Sequence, residues 1–319
     1  MFKTASFFRI DPEFILPPLD ALEQALQAAR FVPCGPTQPE SFGWVAPRGN
    51  KSIALAESVG GHVILNLCTE KRALPASAVK AAVDECIEKY KKETGNERVG
   101  AKIKKQFKEE VMLDLLPRAF SKRSNTMVWL DAANKLLVVG TGSLGGADKV
   151  VTCLLDALSA VPGSRPGGFK PVQTQMSASA SMSQWLASRE APFNFTVDRD
   201  CELKTPDDQK STVRYSRHTL EIDEVPQHIA AGKVPTQLAL TWNDRLSFVL
   251  TESAQLKKIQ LLDVVLDGVQ EGGKDDDGFD TDAAIITGEL SALIPDLLGA
   301  LGGEIGSDAQ MVPADALAL

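Results

Sequence analysis

Apolar residues recur along this chain at two spacings, and the switches between them mark the predicted elements. Met1 to Arg9 carries three phenylalanines around single polar residues and reads as a first strand. Behind Pro17 and Pro18, Leu19, Leu22, Leu26 and Ala29 fall on one helical face, which predicts a helix over 17–30. The Pro/Gly-rich stretch 33–49 reads as a loop. Two short strands follow over 52–69, hinged on Gly60-Gly61. Pro75 opens a helix to about Lys92. After Thr94-Gly95-Asn96 a second runs over about 100–116, with Ile103, Phe107, Val111 and Leu115 four residues apart. So narrow an apolar seam between charged faces predicts a protruding helical hairpin. A β-hairpin over 126–140 and a helix over 147–160 complete this half.

Residues 162–182, rich in Pro, Gly, Ser and Gln, read as a linker. Beyond it come strand-like segments near 193–199 and 211–216, and a short helix over 223–231 closed by Gly232. Gln237–Trp242 and Arg245–Leu250 flank a two-residue Asn243-Asp244 turn, the signature of a tight hairpin. A strand over 256–265, a loop over 271–280 and a largely apolar helix over 281–301 follow. The expected fold is therefore α+β: a mixed β-sheet central unit (1–75 and 117–161), an inserted helical-hairpin tip (76–116), the linker, a C-terminal α+β base (183–305) and a disordered tail (306–319).

Composition narrows the function. With 44% hydrophobic and 24% charged residues over 319 positions, the chain is globular and long enough for two or three units. No apolar run is expected to reach the about 20 residues that cross a bilayer, so no membrane partner is expected. The first residues lack the apolar block of a signal peptide. Five widely spaced cysteines, Cys34, Cys68, Cys86, Cys153 and Cys201, with no Cys-x-x-Cys, read as reduced thiols, which together with the missing leader predicts a cytoplasmic protein. The net charge of −8 argues against a nucleic-acid partner until its distribution is seen. From Lys71 to Arg123 there are 14 Lys and Arg against 8 Asp and Glu, while from Asp263 onward one Lys faces 13 acids. Such segregation allows a basic face on an acidic protein, or simply two solvated faces.

Motifs for catalysis fail one by one. Gly140-Thr-Gly142-Ser-Leu-Gly145 matches the dinucleotide pattern, but its strand belongs to a hairpin and no parallel βαβ unit follows. No Walker loop occurs. Gly273–Gly278 resembles a calcium loop, yet Gly273 and Ala284 stand where carboxylates are required. His62, His218 and His228 have no partner at metal spacing. The reading is of a protein without catalytic residues, metal or cofactor.

One segment stands out. In Leu115–Asp131, Arg118, Lys122 and Arg123 surround Phe120, with Ser121, Ser124, Asn125 and Thr126 as short donors. These are the groups that contact phosphate oxygens. Phe120 is either an exposed contact or a core residue at a helix-to-strand junction, and composition leaves both open.

This segment is one of several ordered blocks by which the chain resembles the RdgC family, the recombination-associated proteins of proteobacteria. The blocks include Phe31-Val-Pro-Cys-Gly35, Gly43-Trp-Val-Ala-Pro47, Leu115-Leu-Pro-Arg-Ala-Phe-Ser121, Thr126-Met-Val-Trp129, His228-Ile-Ala-Ala-Gly-Lys-Val234, Leu238-Ala-Leu-Thr-Trp242, Thr287-Gly-Glu-Leu-Ser-Ala-Leu-Ile294 and Gly302-Gly-Glu304. The resemblance implies a ring-shaped homodimer that encircles double-stranded DNA without sequence preference, is nucleoid-associated and restrains RecA-promoted strand exchange. It implies that Phe120 lies at a dimer interface between the tips. It also implies that Arg217-His218 aligns with a DNA-binding Lys-Gln pair, so the cation is kept while His replaces Gln. The expected DNA-binding set is Arg118, Lys122, Arg123, Arg217 and His218. The rival readings are a metal-dependent nuclease or hydrolase using His218 or His228, and a RecA-binding module without DNA affinity.

Overall fold

The structure, a computed structural model, describes residues 1–163, 167–206, 211–267 and 278–305. In chain order it contains β1 (Thr4–Ile10), α1 (Leu19–Ala28), β2 (Glu40–Val45), β3 (Ala56–Val59), β4 (His62–Ala73), α2 (Ala76–Thr94), α3 (Ala101–Leu115), β5 (Phe120–Asp131), β6 (Leu136–Val139) and α4 (Leu144–Ser159). The second half adds β7 (Phe169–Pro171), α5 (Ala178–Ser188), β8 (Phe195–Lys204), β9 (Thr212–Tyr215), α6 (Glu224–Ala230), β10 (Val234–Trp242), β11 (Leu246–Thr251), β12 (Leu256–Leu261), α7 (Asp263–Leu266) and α8 (Phe279–Ala300).

The strands make one sheet in the order β2-β4-β5-β6-β1-β12-β11-β10-β8-β9, with β3 added on β4 and β7 on β1. β1 joins the halves. One edge pairs with β6, and the other pairs first with β12 (Thr4↔Lys257, Ala5↔Leu256) and then with β7 (Ile10↔Phe169). The fold is α+β as expected, but the expected mixed sheet is not: every pairing between named strands is antiparallel. Several neighbours are joined by tight hairpins, and such turns permit nothing else. In the sharpest, Asn243 and Asp244 both take positive φ (47° and 53°), as a two-residue hairpin requires.

Two corrections concern loops. The stretch 33–49 holds β2, which binds β4 over Glu40–Val45; its glycine masked the alternation. Gly43 is there because Phe31 crosses it, so that a Cβ would lie 2.5 Å from the Phe31 Cα. The expected linker 162–182 contains β7 and the first turns of α5, outside the undescribed 164–166. Most of the expected loop 271–280, the calcium-like Gly273–Asp277 and the tail 306–319 also lie outside the described residues.

α8 connects the layers. Its Ile286, Leu290, Leu293, Ile294 and Leu297 share one core with Trp129 and Val138 of the first half and with Leu238, Leu240 and Phe248 of the second. A second core, built on Leu22, Leu26, Trp44, Leu67 and Leu154, lies on the other face of the first half, under α1 and α4. Contrary to expectation, α8 is long and apolar enough, by length and composition, to cross a membrane, at 22 residues with a mean hydropathy of 1.4 over an 18-residue stretch. That apolarity is explained by its place between the two halves. Polar anchors fix it there: Arg48 to Asp280 at 2.5 Å, Arg245 to Glu289 at 2.5 Å, and the Trp242 indole N–H to Asp296 at 2.8 Å.

Candidate nucleic-acid interface

β4 and β5 pair over their full lengths, from Val63↔Leu130 to Ala73↔Phe120. β6 covers only Val128–Asp131 of β5. The outer half of β5, Phe120–Asn125, is exposed throughout, and α2 and α3 rise from its end. The helical hairpin is thinly cored: Val79 and Val111 are its only residues classed as buried, helped by an edge contact between Tyr90 and Phe107 at 5.7 Å. Gly95, at φ +69°, ends α2 where the turn was expected.

The segment that stood out in the sequence begins at the end of α3. Arg118 lies in a 3₁₀ turn over Leu116–Arg118, and both it and Lys122 are exposed. Phe120 is 89% exposed, which removes the core reading left open above. Strand alternation puts Lys122 on the same face as Phe120 and sends Arg123 to the other. Arg123 is partly committed: it donates to the buried Glu70 carboxylate at 3.0 Å and lies 5.2 Å over the Phe31 ring. A hydrogen bond from Ser121, and then the Arg123 guanidinium, hold Glu70 below the usual carboxylate range. Arg123 therefore offers at most its free N–H groups to a ligand.

Arg217 and His218 lie elsewhere, on the second half of the sheet. β8 carries extra residues there: Leu238 pairs with Cys201 and Leu240 with Val197, so Asp198, Arg199 and Asp200 face the single residue Ala239. β12 is also irregular, for Ser247 pairs with Gln260 but Val249 with Lys257. Bulges of this kind re-aim side chains. Both aim into one groove of about 520 Å³, lined by Asp198, Arg199, Asp200, Arg217, Lys258 and Gln260 among others. Arg217 and Lys258 both adopt positive φ (54° and 52°). The Asp200 carboxylate accepts from the Arg217 backbone N–H at 2.7 Å and fixes that turn. Exposed His218 donates its backbone N–H to the Arg199 carbonyl, while its Nδ1 lies 2.8 Å from the Thr219 carbonyl oxygen, so the ring is held by its own loop.

The structure thus splits the expected set in two. Arg118, Phe120, Lys122 and Arg123 sit at the foot of the helical hairpin, whereas Arg217 and His218 sit six strands away along the sheet, about 30 Å at the usual strand spacing. Sequence reading missed Arg199 and Lys258. One signal for Lys258 was present: Leu256-Lys257-Lys258-Ile259 places two polar residues in succession and breaks the alternation, as a bulge does.

The acids of this region are already engaged. Asp198 accepts from the Thr241 hydroxyl at 2.9 Å, and burial, aided by the charge of Asp200, pushes its carboxyl above the ordinary range. Glu202 binds Lys204, Arg214 and Thr236; hydrogen bonds from Lys204 and Arg214 lead in holding it down at about 2. Among the described residues no three His, Cys, Asp or Glu side chains gather as a metal would need. All five thiols are free, and burial drives that of Cys201 up to about 12. The Gly140–Gly145 motif is a helix entry, with the Ser143 hydroxyl capping α4 by accepting from the Gly146 N–H at 3.3 Å.

A family model described as "Putative exonuclease, RdgC" matches residues 1–304. The recombination-associated protein RdgC of Dechloromonas aromatica (strain RCB) is 40% identical over 308 residues, covering 95% of this chain and 98% of that protein. The protein of the same name from Herminiimonas arsenicoxydans is 40% identical over 304 residues with the same coverage. That from Janthinobacterium sp. (strain Marseille) is 38% identical over 305 residues, covering 95% and 98%.

Proposed function

The chain belongs to the RdgC family, and from that premise we propose that it acts in recombination as a homodimer that encircles duplex DNA without sequence preference and restrains RecA-promoted strand exchange, without chemistry of its own. The names of its relatives support the role in recombination. The groove of the second half carries the DNA-binding part of the reading. Two irregular strands and the bend after β9 bring Arg199, Lys258 and Arg217 into one groove, and two of these cations sit in backbone conformations that non-glycine residues seldom adopt. Strain of that kind persists where the surrounding structure holds it, and it gathers at functional sites. Guanidinium and ammonium groups contact phosphate, whatever the base sequence.

The description of the family as an exonuclease defines the competing reading. The carboxylates nearest the groove, Asp198, Asp200 and Glu202, each already accept a protein hydrogen bond, which favours binding over metal-assisted hydrolysis. The test is duplex binding by anisotropy across a salt series, with scrambled sequences and with Mg²⁺ added. Affinity should fall steeply with salt, with a log–log slope of about −0.9 per phosphate contacted. It should change little with sequence, and the DNA should remain intact. Cleavage that needs Mg²⁺ and is lost in Asp198→Asn would establish the exonuclease instead. Homodimerisation is read by sedimentation, and RecA restraint by a strand-exchange assay with the protein added before and after pairing. Binding to RecA with no affinity for duplex would leave only the interaction-module reading.

A further inference from the structure

We infer that Arg72 is the positioning residue that holds the foot of the helical hairpin, and with it Arg118 and Phe120, against the body of the protein; the consequence for DNA rests on the duplex-binding reading, the geometry does not. Arg72 sits near the outer end of β4, opposite Ser121 of β5. Its guanidinium donates to four backbone carbonyls on two separate segments. Nη1 reaches the Leu116 oxygen at 3.0 Å and the Ala119 oxygen at 3.3 Å, while Nη2 reaches those of Cys34 at 3.3 Å and Gly35 at 3.2 Å.

The first pair belongs to the turn that leaves α3 and carries Arg118. The second belongs to the connection between α1 and β2, part of the body. Leu116 is the C-cap residue of α3, where orphan carbonyls and the negative end of the helix dipole favour a cation. Beyond the β4–β5 ladder and the Arg123–Glu70 pair, little packing backs the helices at this junction. α2 and α3 bury one residue each, and β5 has no β6 partner along Phe120–Met127. A planar fork that meets carbonyls on two sides at once is a task for guanidinium. The shorter-reaching, tetrahedral ammonium of lysine can serve one side only.

The test uses the full chain in three forms: wild type, Arg72→Met and Arg72→Lys. Hydrogen exchange is followed by mass in peptides covering 30–38, 116–123 and 126–139. In both variants the first two peptides should exchange about tenfold faster or more, since hydrogen bonds to a charged group are the stronger kind, and they should do so together. Peptide 126–139, in the buried sheet, should not change. If lysine restores wild-type exchange, or all three peptides accelerate alike, Arg72 is an ordinary structural cation and the inference fails. Should Arg72→Met not fold, Arg72→Lys decides the matter alone. Release from nicked circular duplex is measured on the same samples and should quicken with the loosening of 116–123. Unchanged release in a loosened variant would remove the link to DNA. If wild type itself has no affinity for duplex, the proposed function falls while the exchange result still decides the role of Arg72.

Discussion

Replacing Phe120 with alanine would separate folding from the ring closure proposed above, because the structure gives this side chain almost nothing to do within one chain. It is 89% exposed and lies opposite Ala73 on the outer part of the β4–β5 ribbon. Truncating an exposed side chain changes stability by no more than about 0.5 kcal/mol, and the lower strand propensity of alanine adds less than about 1 kcal/mol. Thermal unfolding should therefore move by a few degrees at most. A partner surface sees a different magnitude. A phenylalanine buries about 150 Å² or more at a contact, which at about 25 cal/mol per Å² amounts to about 4 kcal/mol before the costs of association. Truncations at hot spots lose about 2 kcal/mol or more, or roughly 30-fold in a rate at 1.4 kcal/mol per decade. The assay is competitor-chased dissociation from nicked circular and from linear duplex, with circular dichroism as the control for folding. Phe120→Ala should leave circles roughly 30-fold faster and linear DNA by a much smaller factor, since a linear duplex can be left by its ends. A variant that stays folded and releases circles at the wild-type rate would refute ring closure through Phe120.

Three further outcomes follow from the groove and its surroundings. Lys258→Ala should shrink the log–log salt slope of duplex binding by about one unit with no change in sequence preference, and an unchanged slope would remove Lys258 from the interface. Asp198 has its pKa raised by burial, so its charge opposes phosphate at neutral pH and is lost as pH falls towards the ordinary range near about 4. Duplex affinity should rise on acidification, and Asp198→Asn should bind more tightly at pH 7 with a flatter profile; weaker binding by this variant would contradict the sign. Glu202 shifts the other way, to about 2. Its contribution to stability is full above the unfolded value near about 4.3 and is lost as pH falls through the folded one. The shift corresponds to about 3 kcal/mol, which the solvent-exposed Arg214 and Lys204 reduce to about 1–2 kcal/mol. Glu202→Gln should lose that amount in urea titrations at pH 7, and its deficit should shrink as pH falls towards about 2.

Elements with a strong period or a turn signature were legible in the sequence: the helical hairpin broken at Gly95, and the β10–β11 hairpin with its Asn243-Asp244 turn. β2 was not, because Gly43, dictated by the crossing of Phe31, interrupts the alternation. The single sheet was not either. It depends on β1 sharing one edge between β12 and β7, a pairing across about 250 residues that no local pattern encodes. The basic segment around Phe120 could be picked out by composition, but its exposure could not. Of the groove on the second half only Arg217 was named, through the family resemblance; its other cations depend on where two bulges turn their side chains, and only the doubled Lys257-Lys258 hinted at one of them.

The same distinction between a residue and its partners resolves the net charge. A chain at −8 is a poor candidate for a polyanion ligand if all its charges are equally available. They are not. Four described acids of the C-terminal segment serve as anchors: Asp280 to Arg48, Glu289 to Arg245, Glu304 to Arg9, and Asp296 to the Trp242 indole and Asn194. Each of these holds α8 or the segment just after it, and three of them are partly neutralised by an arginine where they stand. The cations of the hairpin and its foot are spent more sparingly. Lys91 and Lys105 pair with neighbours on their own helix, Arg123 with Glu70 and Lys71 with Glu40. Lys102, Lys104, Lys108, Arg118 and Lys122 form no ion pair among the described residues. An approaching phosphate backbone responds to the charge that is not yet compensated within reach of the screening length, about 10 Å at 0.1 M salt, and not to the sum over the chain. An acidic protein that spends several acids as structural ties, and keeps a local excess of cations on one projecting arm and in one groove, can bind DNA without becoming basic overall.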